Sequence, residues 1–386
     1  MHSYYSDGKP SGENVMVDAA AEALRRAGHA VDLVGRRTDQ LRGGAGYTAM
    51  AALNTATGVG PSPVGESWAT EVDVVHVHNL FPSFGRAWLR TLSKPLVVTL
   101  HNYRPLCAAA TLFRAGATCT ACLRGPLPGL RHGCYRGSRM ATLPLTLGQR
   151  TLRRDLLGQR TLRRDLLGRA DRLIVLSDVQ RDFYVRAGVD ERKLVVVPNF
   201  VPDELDRGSG AGGADWVFAG RLDDAKGIIE LVARWPRELR LTVFGAGPLL
   251  ANAKELARGR DITFAGHLPR EAVTAAVRNA RGLVFPSRWP DPFGLAYAEA
   301  MAAGTPVLAR RPAAAAQFVH QHRTGMVVDE VTSDAIRAAH ELFPFLRTAC
   351  RAAYVAHHRE PDHVAALTGA YLQACAARRA KRAATA

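Results

Sequence analysis

The sequence has no apolar run of the length that a membrane-spanning helix needs, about 18 residues or more. Cysteines are few, six in 386 residues, and aromatic residues make up only 7% of the chain. The first ten residues show neither the basic region nor the apolar stretch of a secretion signal. We therefore expect a soluble, cytoplasmic protein whose thiols are reduced.

Acidic residues are also in short supply. The chain has 35 Asp and Glu against 51 Lys and Arg, which gives a formal net charge of +16. A charge of that size suits nucleic acid, an anionic membrane surface or a phosphorylated substrate. We expect no nucleic acid, because the sequence has neither a basic patch interleaved with aromatic residues nor a recognisable reading motif. A peripheral contact between the basic surface and a membrane stays open.

The chain is longer than one hydrophobic core usually supports. Short β-rich runs alternate with helical segments, a pattern typical of parallel sheets with helices on both faces. Residues 201–215 include the run Gly208–Gly213 and have the composition of a hinge. We predict an α/β protein with two doubly wound Rossmann-like domains, 1–200 and 216–358, facing each other across a cleft. The predicted strands are Ala30–Gly35, Val72–Val77, Pro95–Leu100, Arg172–Leu176, Leu194–Val197, Trp216–Ala219, Leu241–Phe244, Ile262–Ala265, Gly282–Phe285 and Pro306–Ala309.

Further predictions concern the two ends of the chain and an internal repeat. Only Met1–Tyr5 precede the loop Asp7–Gly12, so the first strand is short, and we expect the true start to lie upstream. Residues 359–376 are predicted to form a helix that packs back on the first domain, and 377–386 a basic tail. A perfect tandem ten-residue repeat over Leu147–Leu166 is interpreted as a duplication within one amphipathic helix, with a membrane-facing basic helix as the alternative.

The segment Trp289–Pro306 carries the most specific chemistry. Asp291 and Glu299 lie eight positions apart, and the turn Pro292–Gly294 opens a helix that ends at Gly304. Free N–H groups at such a helix N-terminus can bind a diphosphate or a sugar hydroxyl. Asp291 can accept hydrogen bonds from sugar hydroxyls and Glu299 from a ribose. For the pair alone, the alternative is a helix-capping Asp followed by an exposed Glu.

A second motif, Phe218–Gly227, places Arg221 and Lys226 in the turn that follows a predicted strand. Arg can bind a diphosphate with two parallel hydrogen bonds, and Lys binds it as a point charge. The alternative is an ordinary basic surface loop. Two further strand ends, Val243–Pro248 and Gly266–Leu268, are candidates for contact with a nucleotide base.

The segment around Asp291 resembles the E-x7-E signature of the retaining glycosyltransferases of family 4, and the resemblance extends over nearly the whole chain. It implies the GT-B fold, with an acceptor-binding domain at 1–200 and a nucleotide-sugar-binding domain at 216–358. It also implies a nucleotide diphosphate-sugar donor, retention of anomeric configuration and no metal in catalysis. The resemblance further implies that Arg221 and Lys226 bind the pyrophosphate of the donor. This family usually has Glu where Asp291 stands, so the donor sugar stays open. The donor-binding residues expected from the motifs and the resemblance are Gly12, Arg221, Lys226, Gly245, His267, Asp291, Phe293, Gly294, Leu295 and Glu299.

Histidines end two predicted strands of the first half. His78 follows one strand and His101 the next, and such side chains can hydrogen-bond a substrate without acting as bases. The resemblance favours His101 as the residue that touches the donor sugar. We therefore expect a catalytic set of His101, Arg221, Lys226 and Asp291.

Four cysteines lie in a Gly- and Pro-rich insert at 104–138 with the spacing C-x11-C-x2-C-x11-C. Four thiols in a loop too long to order itself resemble a closed, non-catalytic zinc site. Free thiols and disulfides are the alternatives. The predicted ligands of a structural zinc are Cys107, Cys119, Cys122 and Cys134.

No candidate residue is a nucleophile with an adjacent base, unlike the paired carboxylates of a glycosidase. The resemblance implies a same-face reaction in which the departing diphosphate helps to deprotonate the acceptor hydroxyl. The acceptor, whether saccharide, lipid-linked or small molecule, is not specified by the sequence. Two other functions stay open: a sugar-nucleotide epimerase of GT-B fold, and a non-enzymatic basic protein that binds nucleic acid.

Overall fold

The computed structural model describes residues 1–5, 11–42, 46–62, 71–154, 166–203 and 212–384. They belong to two compact units. The N-terminal unit comprises Met1–Leu112, Thr120–Val197 and Val364–Ala386, and the C-terminal unit comprises Phe113–Cys119 and Pro198–His363. Four sequence features lie partly outside the described residues: the loop at 7–12, the repeat at 147–166, the hinge at 201–215 and the basic tail at 377–386.

The secondary structure of both units alternates strands and helices. The strands are β1 (His2–Tyr4), β2 (Gly35–Arg37), β3 (Val75–Val77), β4 (Leu96–Thr99), β5 (Phe113–Arg114), β6 (Ala117–Thr118), β7 (Arg172–Val175), β8 (Leu194–Val196), β9 (Trp216–Ala219), β10 (Leu241–Phe244), β11 (Ile262–Gly266), β12 (Gly282–Phe285), β13 (Val307–Arg310) and β14 (Gly325–Val328). The helices are α1 (Gly12–Arg26), α2 (Thr38–Arg42), α3 (Tyr47–Thr57), α4 (Leu127–Arg131), α5 (Arg139–Arg154), α6 (Leu166–Arg169), α7 (Asp178–Arg186), α8 (Ile228–Arg234), α9 (Leu250–Leu256), α10 (Arg270–Asn279), α11 (Leu295–Ala302), α12 (Ala314–His322), α13 (Ser333–Leu342), α14 (Arg347–His357) and α15 (Glu360–Ala383). Short 3-10 helices cover Ala87–Arg90, Glu191–Lys193, Asp224–Lys226 and Phe343–Leu346.

The N-terminal unit is built on a parallel sheet with the strand order β3-β4-β7-β8. Strands β1 and β2 form a parallel pair, and β1 joins the main sheet through a parallel bridge between His2 and Asn79. The carboxyl ends of β1, β3 and β4 therefore lie along one edge of the sheet. In doubly wound folds this edge is where ligands bind.

Helix α15 is part of the core of the N-terminal unit. Its residues Leu367, Ala370 and Ala374 are buried in one cluster with apolar side chains of the sheet. The helix continues through residues predicted as a basic tail, because two of those basic side chains are anchored. Arg378 donates hydrogen bonds to the carbonyls of residues 92–94, and Lys381 Nζ lies 2.6 Å from Asp171 Oδ1.

The C-terminal unit holds a six-stranded parallel sheet with the order β11-β10-β9-β12-β13-β14. Numbered within this unit, the order is 3-2-1-4-5-6, the doubly wound order of dinucleotide-binding folds. The apolar strand residues pack with the helices into one buried core around Trp216, Phe218 and Val284. The order of strands reverses between β9 and β12, so a ligand crevice is expected at the carboxyl ends of these two strands.

Most predicted strands are confirmed within about two residues, since apolar β-branched runs mark buried parallel strands clearly. The predicted strand Ala30–Gly35 is wrong: β2 begins only at Gly35. Strand β14 and the β5–β6 hairpin inside the cysteine insert were not predicted. In the part of the chain that the structure describes, no helix is both long and apolar enough to cross a bilayer.

Candidate functional site

Two loops meet at the carboxyl ends of β9 and β12 in the C-terminal unit. The first runs from Gly220 to Gly227, and the second contains Arg288 and Asp291. Backbone contact holds them together, because Arg288 N donates to Ala225 O at 2.8 Å. Gly227 has a φ of 73°, and a Cβ there would lie 2.4 Å from the carbonyl oxygen of Pro286. Only glycine allows both this backbone conformation and this close approach.

Lys226, the predicted pyrophosphate contact, forms an ion pair with Asp291, the predicted sugar contact. Lys226 Nζ lies 2.5 Å from Asp291 Oδ2, and the Asp291 side chain is only 8% exposed. The ammonium group also lies 5.4 Å from the ring centre of Phe285 and 5.6 Å from that of Trp289. A buried carboxylate requires a partner of this kind. The 3-10 turn before Gly227 holds Lys226 in place, since Asp223 caps it through a 3.0 Å bond from Lys226 N.

The Pro-Phe-Gly turn leads from Asp291 into helix α11. Gly294 has a φ of 86°, and a Cβ there would lie 2.7 Å from Phe285 Cζ, which requires glycine. Phe293 is buried against Phe318 and His358. Among the described side chains, none caps the N-terminus of α11. Its first N–H groups, at Leu295 and Ala296, are therefore suited to an anionic or hydroxyl ligand.

The remaining predicted donor residues of this unit are Arg221 in the first loop, Glu299 on α11, and Gly245 and His267 at the ends of β10 and β11. Glu299 lies on α11 and pairs with Arg270, whose Nε is 3.2 Å from Glu299 Oε1. Arg221 is 68% exposed and pairs with Asp223 at 3.0 Å. Gly245 packs directly on the β9 loop, because a Cβ there would lie 1.9 Å from Gly220 O. His267 is exposed.

Histidines cluster at the predicted edge of the N-terminal sheet. His78 Nδ1 lies 2.9 Å from His101 Nε2, and their rings stack at 5.2 Å. Behind them, His76 bonds to Thr99 Oγ1 and to the Tyr371 hydroxyl, both at 2.8 Å. Burial, followed by the neighbouring His76 and His101, holds the pKa of His78 well below its usual range. The His78 ring is therefore neutral at physiological pH and can share a single proton with His101.

A buried acid next to these histidines was missed by sequence reasoning. Glu13 follows the predicted Gly12 in the first turn of α1, and its Oε2 accepts a 3.2 Å bond from Asn102 Nδ2. Burial raises the pKa of Glu13 to about 8, although the charge of Arg104 opposes this. The signal in the sequence was an acidic residue directly after a Ser-Gly helix start. Nothing in the sequence placed that helix against the loop after β4.

The grouping of the cysteines gives no support to the predicted zinc site. All six lie in the described ranges, and none is in a disulfide. Among the described residues, no three His, Cys, Asp or Glu side chains are grouped as a metal site would require. Cys107 and Cys122 are instead buried in the packing of the insert. The four thiols are therefore not grouped in this structure as a tetrahedral zinc ion would require.

Two family models match the sequence, and together they span both units. The one described as "Glycosyltransferase Family 4" matches residues 10–205, and the one described as "Glycosyl transferases group 1" matches residues 208–343. The first alone covers half of the chain. With a doubly wound sheet in the C-terminal unit and two glycine-bearing loops at its strand reversal, this chain belongs to glycosyltransferase family 4.

Curated relatives match a limited part of the sequence. Glycogen synthase of Mycobacterium tuberculosis (strain H37Rv) is 33% identical over 125 residues, which is 30% of each chain. D-inositol 3-phosphate glycosyltransferase of Arthrobacter sp. (strain FB24) is 35% identical over 153 residues, which is 35% of each chain. These matches thus span about a third of the length of the curated relatives.

Solved structures resemble the chain over nearly its full length. Sucrose-phosphate synthase from Thermosynechococcus elongatus gives a TM-score of 0.63 at 19% identity, covering 98% of this chain and 96% of that one. Anabaena HepE in complex with UDP gives 0.58 at 15% identity, covering 96% and 99%. At such identities the likeness concerns the fold. The predicted GT-B class, with two Rossmann-like domains, is confirmed.

Proposed function

We propose that this protein transfers a sugar from a nucleotide diphosphate-sugar to an acceptor hydroxyl, with retention of anomeric configuration. The observation that carries the proposal is the contact between the β9 and β12 loops. There Lys226, Asp291 and the uncapped start of α11 converge where a doubly wound sheet binds ligands. The family membership supports the class of reaction, and the UDP complex of the HepE relative supports the class of donor.

Donor binding would exchange the partners of the Lys226–Asp291 pair. A diphosphate offers Lys226 more negative charge than one carboxylate, and the exposed guanidinium of Arg221 can add two parallel hydrogen bonds. Asp291 is then released to accept hydrogen bonds from sugar hydroxyls. The N–H groups that follow Phe293 and Gly294 supply further donors.

The nucleoside would be held by Glu299 on α11 and by the ends of two neighbouring strands. Glu299 can accept hydrogen bonds from ribose hydroxyls, with Arg270 fixing its carboxylate. Gly245 and His267 lie at the ends of neighbouring strands and are proposed to flank the base. In the N-terminal unit, Gly12 starts α1 and is proposed as a further phosphate contact.

Catalysis would depend on stabilising the leaving diphosphate. In a same-face reaction the departing diphosphate takes the proton of the acceptor hydroxyl, while Arg221 and Lys226 balance its growing charge. Loss of one such donor typically raises the barrier by about 3 kcal/mol. These two cations supply the charge that catalysis needs. His101 is proposed to contact the sugar through its ring N–H.

Thermal unfolding with a panel of nucleotides and nucleotide-sugars tests the donor site. A ligand at 100 times its dissociation constant stabilises the folded state by about 2.7 kcal/mol. We expect one nucleotide series to raise the unfolding temperature of the wild type, and Lys226→Ala to abolish the rise. Asp261→Ala removes an exposed ion pair with Arg240 in the same unit and should keep the rise. No stabilisation by any common nucleotide-sugar would refute the proposal.

A further inference from the structure

Arg288, in the loop after β12, holds the loop from Gly220 to Gly227 through its backbone and its side chain. Its backbone N donates to Ala225 O at 2.8 Å, and its Nη1 lies 2.6 Å from Asp224 Oδ1. Asp224 and Ala225 are the two residues directly before Lys226, in the same 3-10 helix. Arg288 therefore fixes the backbone that carries Lys226, although it is not one of the residues proposed to bind the donor.

The Arg288 side chain is largely buried, at 16% exposed. A charge that leaves water is costly unless it is paired. Its Nη2 lies 3.2 Å from Glu230 Oε1, and Glu230 Oε2 lies 2.5 Å from Arg310 Nη1. Glu230 belongs to α8 and Arg310 ends β13. One carboxylate thus joins two arginines and fixes the Arg288 guanidinium beside the loop.

A further partner of Arg288 comes from the cysteine insert. The β5–β6 hairpin lies within Phe113–Cys119, which belongs to the C-terminal unit, whereas the neighbouring parts of the insert belong to the N-terminal unit. Arg288 Nη2 donates to Gly116 O at 2.9 Å, and the guanidinium lies 5.5 Å from the ring centre of Phe113. An aromatic face attracts a cation at this distance. The hairpin therefore supplies both a hydrogen-bond acceptor and an aromatic face to Arg288.

The tip of the hairpin has the backbone that this contact needs. Ala115 and Gly116 join β5 to β6, and both have positive φ, 49° and 77°. Positive φ at both positions is the mark of a two-residue hairpin turn of type I′. Alanine adopts such a conformation at a cost of about 1–2 kcal/mol. A Cβ at position 116 would lie 2.7 Å from Arg288 Nη2 and would push the guanidinium away from the carbonyl.

We propose that Arg288 is a positioning residue for the diphosphate of the donor, and that the β5–β6 hairpin keeps it in place. This inference rests on the proposed function, in which Lys226 binds that diphosphate. Without the hairpin, the guanidinium loses one acceptor and its aromatic face, and its hold on Asp224 weakens. A displacement of about 1 Å at a catalytic group can lower a rate 100-fold. A segment of the insert thus determines how well Lys226 meets the donor.

The first measurement needs no ligand. Hydrogen–deuterium exchange of the full-length protein, read by mass spectrometry, follows the N–H groups of Lys226 and Gly227, which donate to Asp223 Oδ1 and Asp224 O. In Arg288→Met their exchange should be about tenfold faster or more, because the loop loses its charged partner. Phe113→Ala removes only the aromatic face and should accelerate the exchange about threefold.

The second measurement compares nucleoside diphosphates with monophosphates by calorimetry, using UDP, GDP and ADP as probes beside UMP, GMP and AMP. For the base that binds, Arg288→Met should weaken diphosphate binding by about tenfold or more and monophosphate binding by less than about twofold, because the misplaced group is the partner of the diphosphate. Arg288→Lys keeps the charge without the planar fork, so it should recover part of the affinity. General damage to the fold would weaken both classes of ligand equally.

Matched controls carry the same substitutions at exposed positions. Arg337→Met breaks an exposed ion pair with Glu238 in the same unit, and Arg114→Ala lies in the same hairpin, and both should behave as the wild type does. Thermal melts confirm that the variants are folded. Wild-type exchange in Arg288→Met, or an equal loss of both ligand classes, would overturn the role of Arg288, and wild-type behaviour of Phe113→Ala would overturn that of the hairpin. If exchange rises as expected and none of the diphosphates binds the wild type, the loop contact stands and the proposed transferase function fails.

Discussion

At the scale of single residues, the main finding is the ion pair between Lys226 and Asp291. Each was predicted from its own motif as a ligand contact, and the structure joins them at 2.5 Å. The sequence could not show this contact, because the residues lie 65 positions apart and meet only when β9 and β12 are neighbours. Removing one charged partner of such a pair leaves the other charge buried and uncompensated.

Asp291→Asn should therefore lower the free energy of unfolding of the unliganded protein by about 1–3 kcal/mol. Denaturant titration measures this loss. In saturating UDP the loss should shrink, since the diphosphate replaces the carboxylate as the partner of Lys226. Asp261→Asn is the control at an exposed ion pair. An equal loss with and without UDP would mean that Lys226 does not change partners.

His358 gives a second residue-scale prediction. It is buried against Phe293, Tyr297 and Phe318, and burial, with His357 and His322 nearby, lowers its pKa to about 3. In the unfolded chain its pKa is about 6.5, so the unfolded state binds more protons between these values. The contribution of the neutral His358 side chain to the free energy of unfolding is therefore fully present above pH 6.5, and it is lost as the pH falls below that value.

The substitution His358→Phe should remove this part of the pH dependence. Between pH 7 and pH 5 the wild type should lose about 2 kcal/mol of stability through this one group, and the variant should not. Urea unfolding at both pH values measures the difference. The exposed His320→Phe is the control. A pH dependence equal to that of the wild type would show that His358 titrates normally.

At the scale of elements, the sequence predicts buried strands well and helix ends poorly. Strands such as β4 and β12 are continuous apolar runs, and the pattern marks them directly. The end of α15 is a run of basic residues that the pattern assigns to solvent. Its Arg378 is only 9% exposed because its guanidinium donates to carbonyls that belong to a distant loop. Such long-range partners leave no local signal.

Arg378→Met keeps the aliphatic part of the side chain but removes its hydrogen bonds to the carbonyls of residues 92–94. We expect a loss of about 2–3 kcal/mol in the free energy of unfolding, since buried carbonyls lose charged donors. Arg379→Met, one position further along α15 and exposed, should change stability by less than about 0.5 kcal/mol. Thermal unfolding compares the two variants. Equal stability of both would contradict the conclusion that Arg378 anchors the end of α15.

At the scale of the whole molecule, the sequence was sufficient for the fold class and for the family. Alternating strands and helices gave the doubly wound sheets, and the segment around Asp291 gave the resemblance that the family comparison bears out. The sequence did not predict a polar cavity beside Glu13, because residues of α1, α5 and a strand end meet there only in the folded unit. Retention of anomeric configuration and a peripheral membrane contact stay predictions.

The most direct measurement is the turnover of a nucleotide-sugar by two variants of the loop from Gly220 to Gly227 and by one control variant outside it. With the donor found by thermal stabilisation, Arg221→Ala and Lys226→Ala should each lower the rate of sugar transfer about 100-fold or more, because each removes a cation that stabilises the departing diphosphate. Arg240→Ala, an exposed arginine of the same unit, should keep the wild-type rate. Near-normal transfer by both Arg221→Ala and Lys226→Ala, with the fold intact, would contradict the account.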